Sequence, residues 1–270
     1  MNLTRFWTKK FDSTFLTNEQ KKLKNKMLAY SIGWFAFGLA VTFLFTYTIL
    51  ASTALYNAYY SFLTKMFFYN TITTILSVVI MSVIEIALVT YISRPKIRRP
   101  LLFVVLAYIA FIISHSLFLP LIISISYFTS LIDKSGMDFI TKITLALIVP
   151  SVSIAIFGFL GYFGFIDFAK LLPFAIIGSI VVIIMAIISY FIRHSLLDSL
   201  ISGISILVAW IYIGYAFQGI AAEGNRILLE DSTEQHKKSF MLKSSIYFGC
   251  ILLIMFIKIF IHMLRLTNRR

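Results

Sequence analysis

Four ionisable residues fall inside long apolar stretches: Glu85, His115, Lys258 and His262. A lysine at the centre of a membrane helix costs about 2.5–3.5 kcal/mol on insertion scales, so it faces a partner or a water-filled cavity, or it reaches for the interface. Lys258 and His262 stand one helical turn apart and share a helix face. Glu85 has the chemistry of an ion or proton site, or of a structural ion pair. Lys258 is either its partner or a side chain that snorkels outward. His115, at a depth close to that of Glu85, either accepts its proton or packs as a buried imidazole. Glu85, His115 and Lys258 are therefore the ion or proton site candidates, and His262 is expected at the interface.

Other chemistries have no support in the residues. His194 and His236 stand in polar connections without ligand spacing, and Cys250 lies in an apolar stretch, so no metal site is expected. Gly158, Gly161 and Gly164 follow no strand and lie at membrane depth, which argues packing and not a nucleotide loop. There is no nucleophile–base set, so the reading is non-enzymatic, with no cofactor. A retinal lysine at Lys258 lacks an acidic counter-ion on the third apolar stretch.

The elements that position these residues follow from composition. The chain has 270 residues, 60% hydrophobic and 13% charged, against about 45–50% and about 25% in soluble domains. This is the composition of an all-α polytopic membrane protein. Seven apolar stretches, at 27–50, 71–93, 101–127, 139–163, 171–192, 200–221 and 244–266, predict a seven-transmembrane-helix bundle. Residues 1–26 form a basic, interfacial arm ahead of the bundle at 27–266, and 267–270 form a basic tail. Thr17 to Gln20 has capping-box form and opens the first helix. The long arm and long apolar run do not fit a signal peptide. Residues 56–70 read as an outer, Tyr-rich connection, Pro120 as a kink in the third span, Lys142 as interfacial, and 223–243 as the longest polar connection. Ser202, Ser205, Ala209, Ala216 and Gly219 make a small-residue face for helix packing.

The formal charge of +13 does not indicate nucleic acid here. Basic residues collect in the arm, at 94–100 and at 223–243, which places those segments and the N-terminus on the cytoplasmic side, near anionic lipid headgroups. Arg265, Arg269 and Arg270 are outvoted and fall outside if the last segment crosses fully.

Residues 212–220, YIGYAFQGI, resemble the sixth-helix segment of Bax-inhibitor-1-like proteins, often Y-I-L-Y-D-x-x-x-I. Residues 256–266, FIKIFIHMLRL, resemble their F-I-N-L-F-x-x-L-L-R-L ending. The segment around Glu85, VIEIA, and the region 167–191 are also similar. The resemblance spans about 71–266 and implies a seven-helix protein of a bacterial or organelle membrane. Richness in Phe, Ile, Tyr and Lys is associated with AT-rich bacterial genomes, so the bacterial cell membrane is expected. Some members are pH-sensitive calcium leaks, and some bacterial ones bind a membrane-anchored AAA protease. The family's pH switch is an aspartate pair on the sixth and seventh helices. Here the matching positions read Ala216 and Met255, so the dyad chemistry is expected to be lost. Two functions follow as expectations: a calcium or proton leak without that switch, or a non-conducting partner of membrane proteins such as a protease.

Overall fold

The computed structural model describes residues 18–66, 69–70, 80, 83–84, 87–92, 100–132, 138–192, 195–229 and 234–267. Among them there is no strand, and the chain is all-α. The helices are α1 (Asn18–Ala51), α2 (Thr53–Met66), α3 (Leu101–Ser116), α4 (Leu119–Ile132), α5 (Phe139–Tyr162), α6 (Phe168–Ile192), α7 (Ser195–Leu229) and α8 (Glu234–Thr267). Six helical stretches among the described residues are long and apolar enough to cross a membrane, α3 and α4 together forming one of them. The seventh expected span, 71–93, lies mostly outside the described residues; its described part at 87–92 is helical.

Helix α1 starts at Asn18, as the capping-box form at 17–20 predicts, and continues through Lys26 into the first span. Two connections differ from expectation. The polar connection at 223–243 is largely helix, because α7 continues to Leu229 and α8 begins at Glu234. Those residues are polar but hold no proline, and Ala, Glu, Gln and Lys are good helix formers, so the helices run on past the apolar stretch. The Tyr-rich connection is also helix. Ser52 caps α2 by accepting from the Leu55 amide at 3.4 Å. At about 21 Å, α2 is too short to cross a core of about 30 Å. Its Tyr59 and Leu63, one turn apart, are buried beside Ile49, and Tyr60 points away.

Pro120 does more than kink the third span. Helix α3 ends at Ser116, the chain turns at Leu117 and Phe118, and α4 starts with Pro120 at its second position. Proline has no N–H to give and suits the first turn of a helix. The Tyr59 hydroxyl donates to the Leu117 carbonyl at this break.

The core is organised around α8, which packs on α7, α1, α5 and α3. Of its most apolar stretch 56% is buried, against 6% for α6, which leans mainly on α7. Polar contacts fix the directions. The Tyr108 hydroxyl donates to the Trp34 carbonyl at 2.7 Å and the Ser116 and Thr42 hydroxyls are hydrogen-bonded at 3.0 Å, so α1 and α3 run the same way. Gly249 lies against Ser31, Trp34 and Phe35, and Phe256 and Phe260 against Phe43, so α8 runs with α1. Arg226 over the Phe240 ring and Ser202 beside His262 make α7 antiparallel to α8. Tyr162 closes α5 beside the start of α1, donating to Asn25 at 2.9 Å, with the Lys24 ammonium 4.3 Å from its ring centroid.

The glycines at the end of α5 divide in role. Gly158 packs on Phe217 and Gly161 on the Gly214 carbonyl of α7. Gly164, at φ 73°, closes the helix: its amide donates to Gly161 and that of Phe165 to Leu160.

A methyl group at Gly161 would overlap the Gly214 carbonyl oxygen, and neither backbone can yield alone. Gly161→Ala is expected to cost about 1–3 kcal/mol. Gly33→Ala, with nothing within 4 Å, is expected to be neutral or stabilising by up to about 1 kcal/mol. Thermal unfolding in detergent checks this, and equal effects at both positions would refute the contact. Burial pushes the Tyr59 phenol up from 10.0 to about 12. Because its folded value is raised, the stability it contributes is whole below pH 10.0 and is lost as pH climbs through about 12. Tyr59→Phe should cost about 1 kcal/mol near neutrality and should flatten that alkaline loss in a pH series of melting curves.

Candidate functional site

Helix α8 carries the densest set of ionisable groups at membrane depth. Lys258 lies on its half-buried stripe, with Ile251, Ile254, Ile261 and the exposed Arg265. One turn on from Lys258, the His262 Nδ1 sits 3.3 Å from the Ser202 hydroxyl of α7. His262 is therefore half-buried against a neighbouring helix. Ser202 and Ser205 are both 0% exposed. The Ser205 hydroxyl has no hydrogen-bond partner among the described residues, and Lys258 forms no hydrogen bond or ion pair among them.

His115 is on α3, one residue before its end, with its ring stacked on Phe111 at 5.2 Å. Glu85 lies outside the described residues, as does its expected pairing with Lys258. Of the three candidates, the described pair thus comes from two different helices that both pack on α1.

Ala216 and Met255, the two positions singled out by the resemblance, both lie among the described residues. Ala216 is fully buried in the core shared by α5, α7 and α8, and Met255 is partly buried beside the same core. The Arg226–Phe240 and Ser202–His262 contacts fix the register of the antiparallel pair from end to end. In that register Ala216 is level with about Gly249, and Met255 lies about 9 Å further along the axis. Two carboxylates so placed are too far apart to share a proton.

Several polar side chains escaped the sequence reading. Lys142, in the first turn of α5, is completely buried within the protein. Lys243 is 5% exposed near the start of α8. Ser202 and Ser205 were read only as small; their hydroxyls lie beside the cationic stripe. The signal that marks them is a Ser pair one turn apart on α7, opposite a Lys–His pair one turn apart on α8. Trp210 donates to Ser153 at 2.8 Å and stacks on Phe157, anchoring α7 to α5. Asp138 caps α5 by accepting from the Thr141 amide, and the Thr141 hydrogen bonds hold its carboxyl below the usual range. Among the described residues, no group of three or more His, Cys, Asp or Glu is placed to hold a metal ion.

No protein-family model, no curated protein and no solved structure matches the chain.

Proposed function

We propose that this chain is a seven-crossing integral membrane protein, N-terminus in the cytoplasm, that is closed to calcium and acts as a membrane-embedded partner of other membrane proteins, such as a membrane-anchored protease. The observation that carries the reading is the sign of charge inside the bundle. Every described carboxylate falls in a connection or within two turns of a helix end, whereas Lys258 sits deeper along α8. A calcium ion about 6 Å from that ammonium, at an effective dielectric of about 20, is repelled by about 5 kcal/mol. Such a barrier slows entry by roughly 5,000-fold or more. The family's acidic pair, by resemblance the calcium and proton switch, has no counterpart at Ala216 and Met255.

The parallel run of α1 and α3 supports the seventh crossing. A chain that leaves α1 on one side and enters α3 from the other has to return between Met66 and Leu101. The apolar stretch 71–93 is long enough to do so. The end that holds the start of α1, the end of α7 and the start of α8 carries Lys21, Lys22, Lys24, Lys26, Arg226, Lys237 and Lys238, which supports a cytoplasmic assignment.

Two experiments check these statements. In a Cys250→Ala background, Lys134→Cys is expected to react with a membrane-impermeant maleimide on intact cells and Lys237→Cys to be protected; equal access to both refutes the topology. In liposomes containing the purified protein, little calcium flux is expected from about pH 6 to about pH 8. Because the two positions are not level, Ala216→Asp/Met255→Asp should stay as silent as the unmodified chain. A steep, pH-dependent calcium flux in the unmodified protein would make it a leak. Purification from native membranes should bring a membrane protease along, and a chain that emerges alone argues against the partner role.

A further inference from the structure

Lys258, His262 and Arg265 follow one another at one-turn spacing on a single face of α8, in the half of the helix away from the N-terminal arm. Ser202 faces His262 from α7 at 3.3 Å. Ser205, one turn further in, is level with Ile259 in the antiparallel register, the residue after Lys258. Its hydroxyl is buried without a hydrogen-bond partner among the described residues. Asp198, one turn outward of Ser202, accepts a hydrogen bond from Ser189 on α6. The seam between α7 and α8 thus holds an ammonium, an imidazole, a guanidinium and two hydroxyls.

Those groups are mostly donors, and they share one need. A buried hydroxyl without a partner is unfavourable, and a lysine at membrane depth needs a counter-charge or water. A single oxyanion meets both needs. Phosphate suits the spacing better than a carboxylate or a halide. Its tetrahedral oxygens accept from several directions at once, and charge-assisted bonds from Lys, Arg and imidazole to phosphate are among the strong ones. Depth agrees. His262 lies about 7 Å from the end of α8 and Lys258 about 13 Å, and the headgroup zone is about 5–7 Å thick on each side. Arg265 and His262 therefore lie within about two turns of the end of α8, and Lys258 extends toward that end along its flexible stem.

We propose that this seam is a phosphate-binding site, with Lys258, His262 and Arg265 supplying charge and Ser202 and Ser205 supplying hydroxyl donors. The phosphate belongs either to a phospholipid headgroup or to free phosphate. The site does not depend on whether the bundle conducts calcium.

The test is thermal unfolding of the full chain in an uncharged detergent, with dioleoyl phosphatidylglycerol in one arm and inorganic phosphate in the other, at fixed ionic strength. A rise of a few degrees with the lipid alone assigns the site to a headgroup, and a rise with inorganic phosphate assigns it to the free anion. In Lys258→Met the concentration needed for half the shift is expected to increase about tenfold or more. Ser205→Ala, which leaves every charge in place, should weaken binding by a smaller factor and keeps the test valid if Lys258→Met folds poorly. Lys65→Ala, on α2, should keep the full shift. The proposal is overturned if neither probe moves the unmodified protein, or if Lys258→Met and Ser205→Ala respond as it does. It is also overturned if a response appears only in Glu85→Gln, which would mean that a carboxylate already occupies Lys258.

Discussion

Lipid tails are as apolar as leucine, so no hydrophobic force gathers helices inside a bilayer, and close packing has to do it. Helix α8 makes that constraint visible, because it exchanges lipid for protein on most of its surface. Gly249 lets the α1 backbone at Ser31 and Phe35 come close. Phe35 and Phe43 then fill the space along Phe256 and Phe260. On the opposite side Ser202, Ser205, Ala209, Ala216 and Gly219 of α7 are all buried. Helix α5 reaches α7 through Gly161 against Gly214, where neither residue has a side chain to intervene. Helices α1, α3, α5 and α7 are placed by what α8 admits, and α6 attaches to α7 on the outside.

Many hydroxyls of the apolar helices are satisfied within the helix that carries them. Ser31, Thr46, Ser116, Ser153 and Ser179 each donate to the carbonyl four residues back, so their hydroxyls need no neighbour. Among the described residues the bonds that cross between helices include Tyr108 to Trp34, Ser116 with Thr42, Trp210 to Ser153, Tyr162 to Asn25 and His262 with Ser202. Each is worth only about 0.6 kcal/mol on average in a membrane protein. Their effect is directional. They fix which helices run together and how far each slides, and that register decides which ionisable groups can meet.

Much of this fold was legible, because long apolar runs in water have only one use. Six of the expected spans are helices of the right place and type. What failed was the reading of polarity as a loop. Residues 223–229 and 234–243 are polar, yet they continue the helices on either side, because they hold no proline and many good helix formers. The Tyr-rich stretch after α1 is helical for the same reason, with the 59/63 pair turned inward. Pro120 was visible, but a single proline does not say whether a helix bends or restarts. The site was legible only as residue types. Lys258 and His262 announced themselves by charge, whereas Ser202 and Ser205 matter through a register between two helices that no local pattern encodes. Lys142 stands near a helix start, which predicts an interface, but position along a helix does not tell which way a side chain faces.

The register bears on how a charge-controlled site can be lost. A proton-sharing pair needs two acids at one level on facing helices, so a change of residue or a slide of one helix past the other removes it. Between α7 and α8 both are present at the positions matched by resemblance: the residues are Ala216 and Met255, and they are about 9 Å apart along the axis. An acid pair attracts cations when it ionises. Along one face of α8 stand the half-buried Lys258 and His262 and the exposed Arg265, with Ser202 of α7 against His262, and a seam lined by donors favours negative charge. Substituting the acids alone would leave such a seam neutral. The cations along α8 reverse the sign of the charge it favours, while the glycine and serine packing that holds α7 against α8 stays as it is.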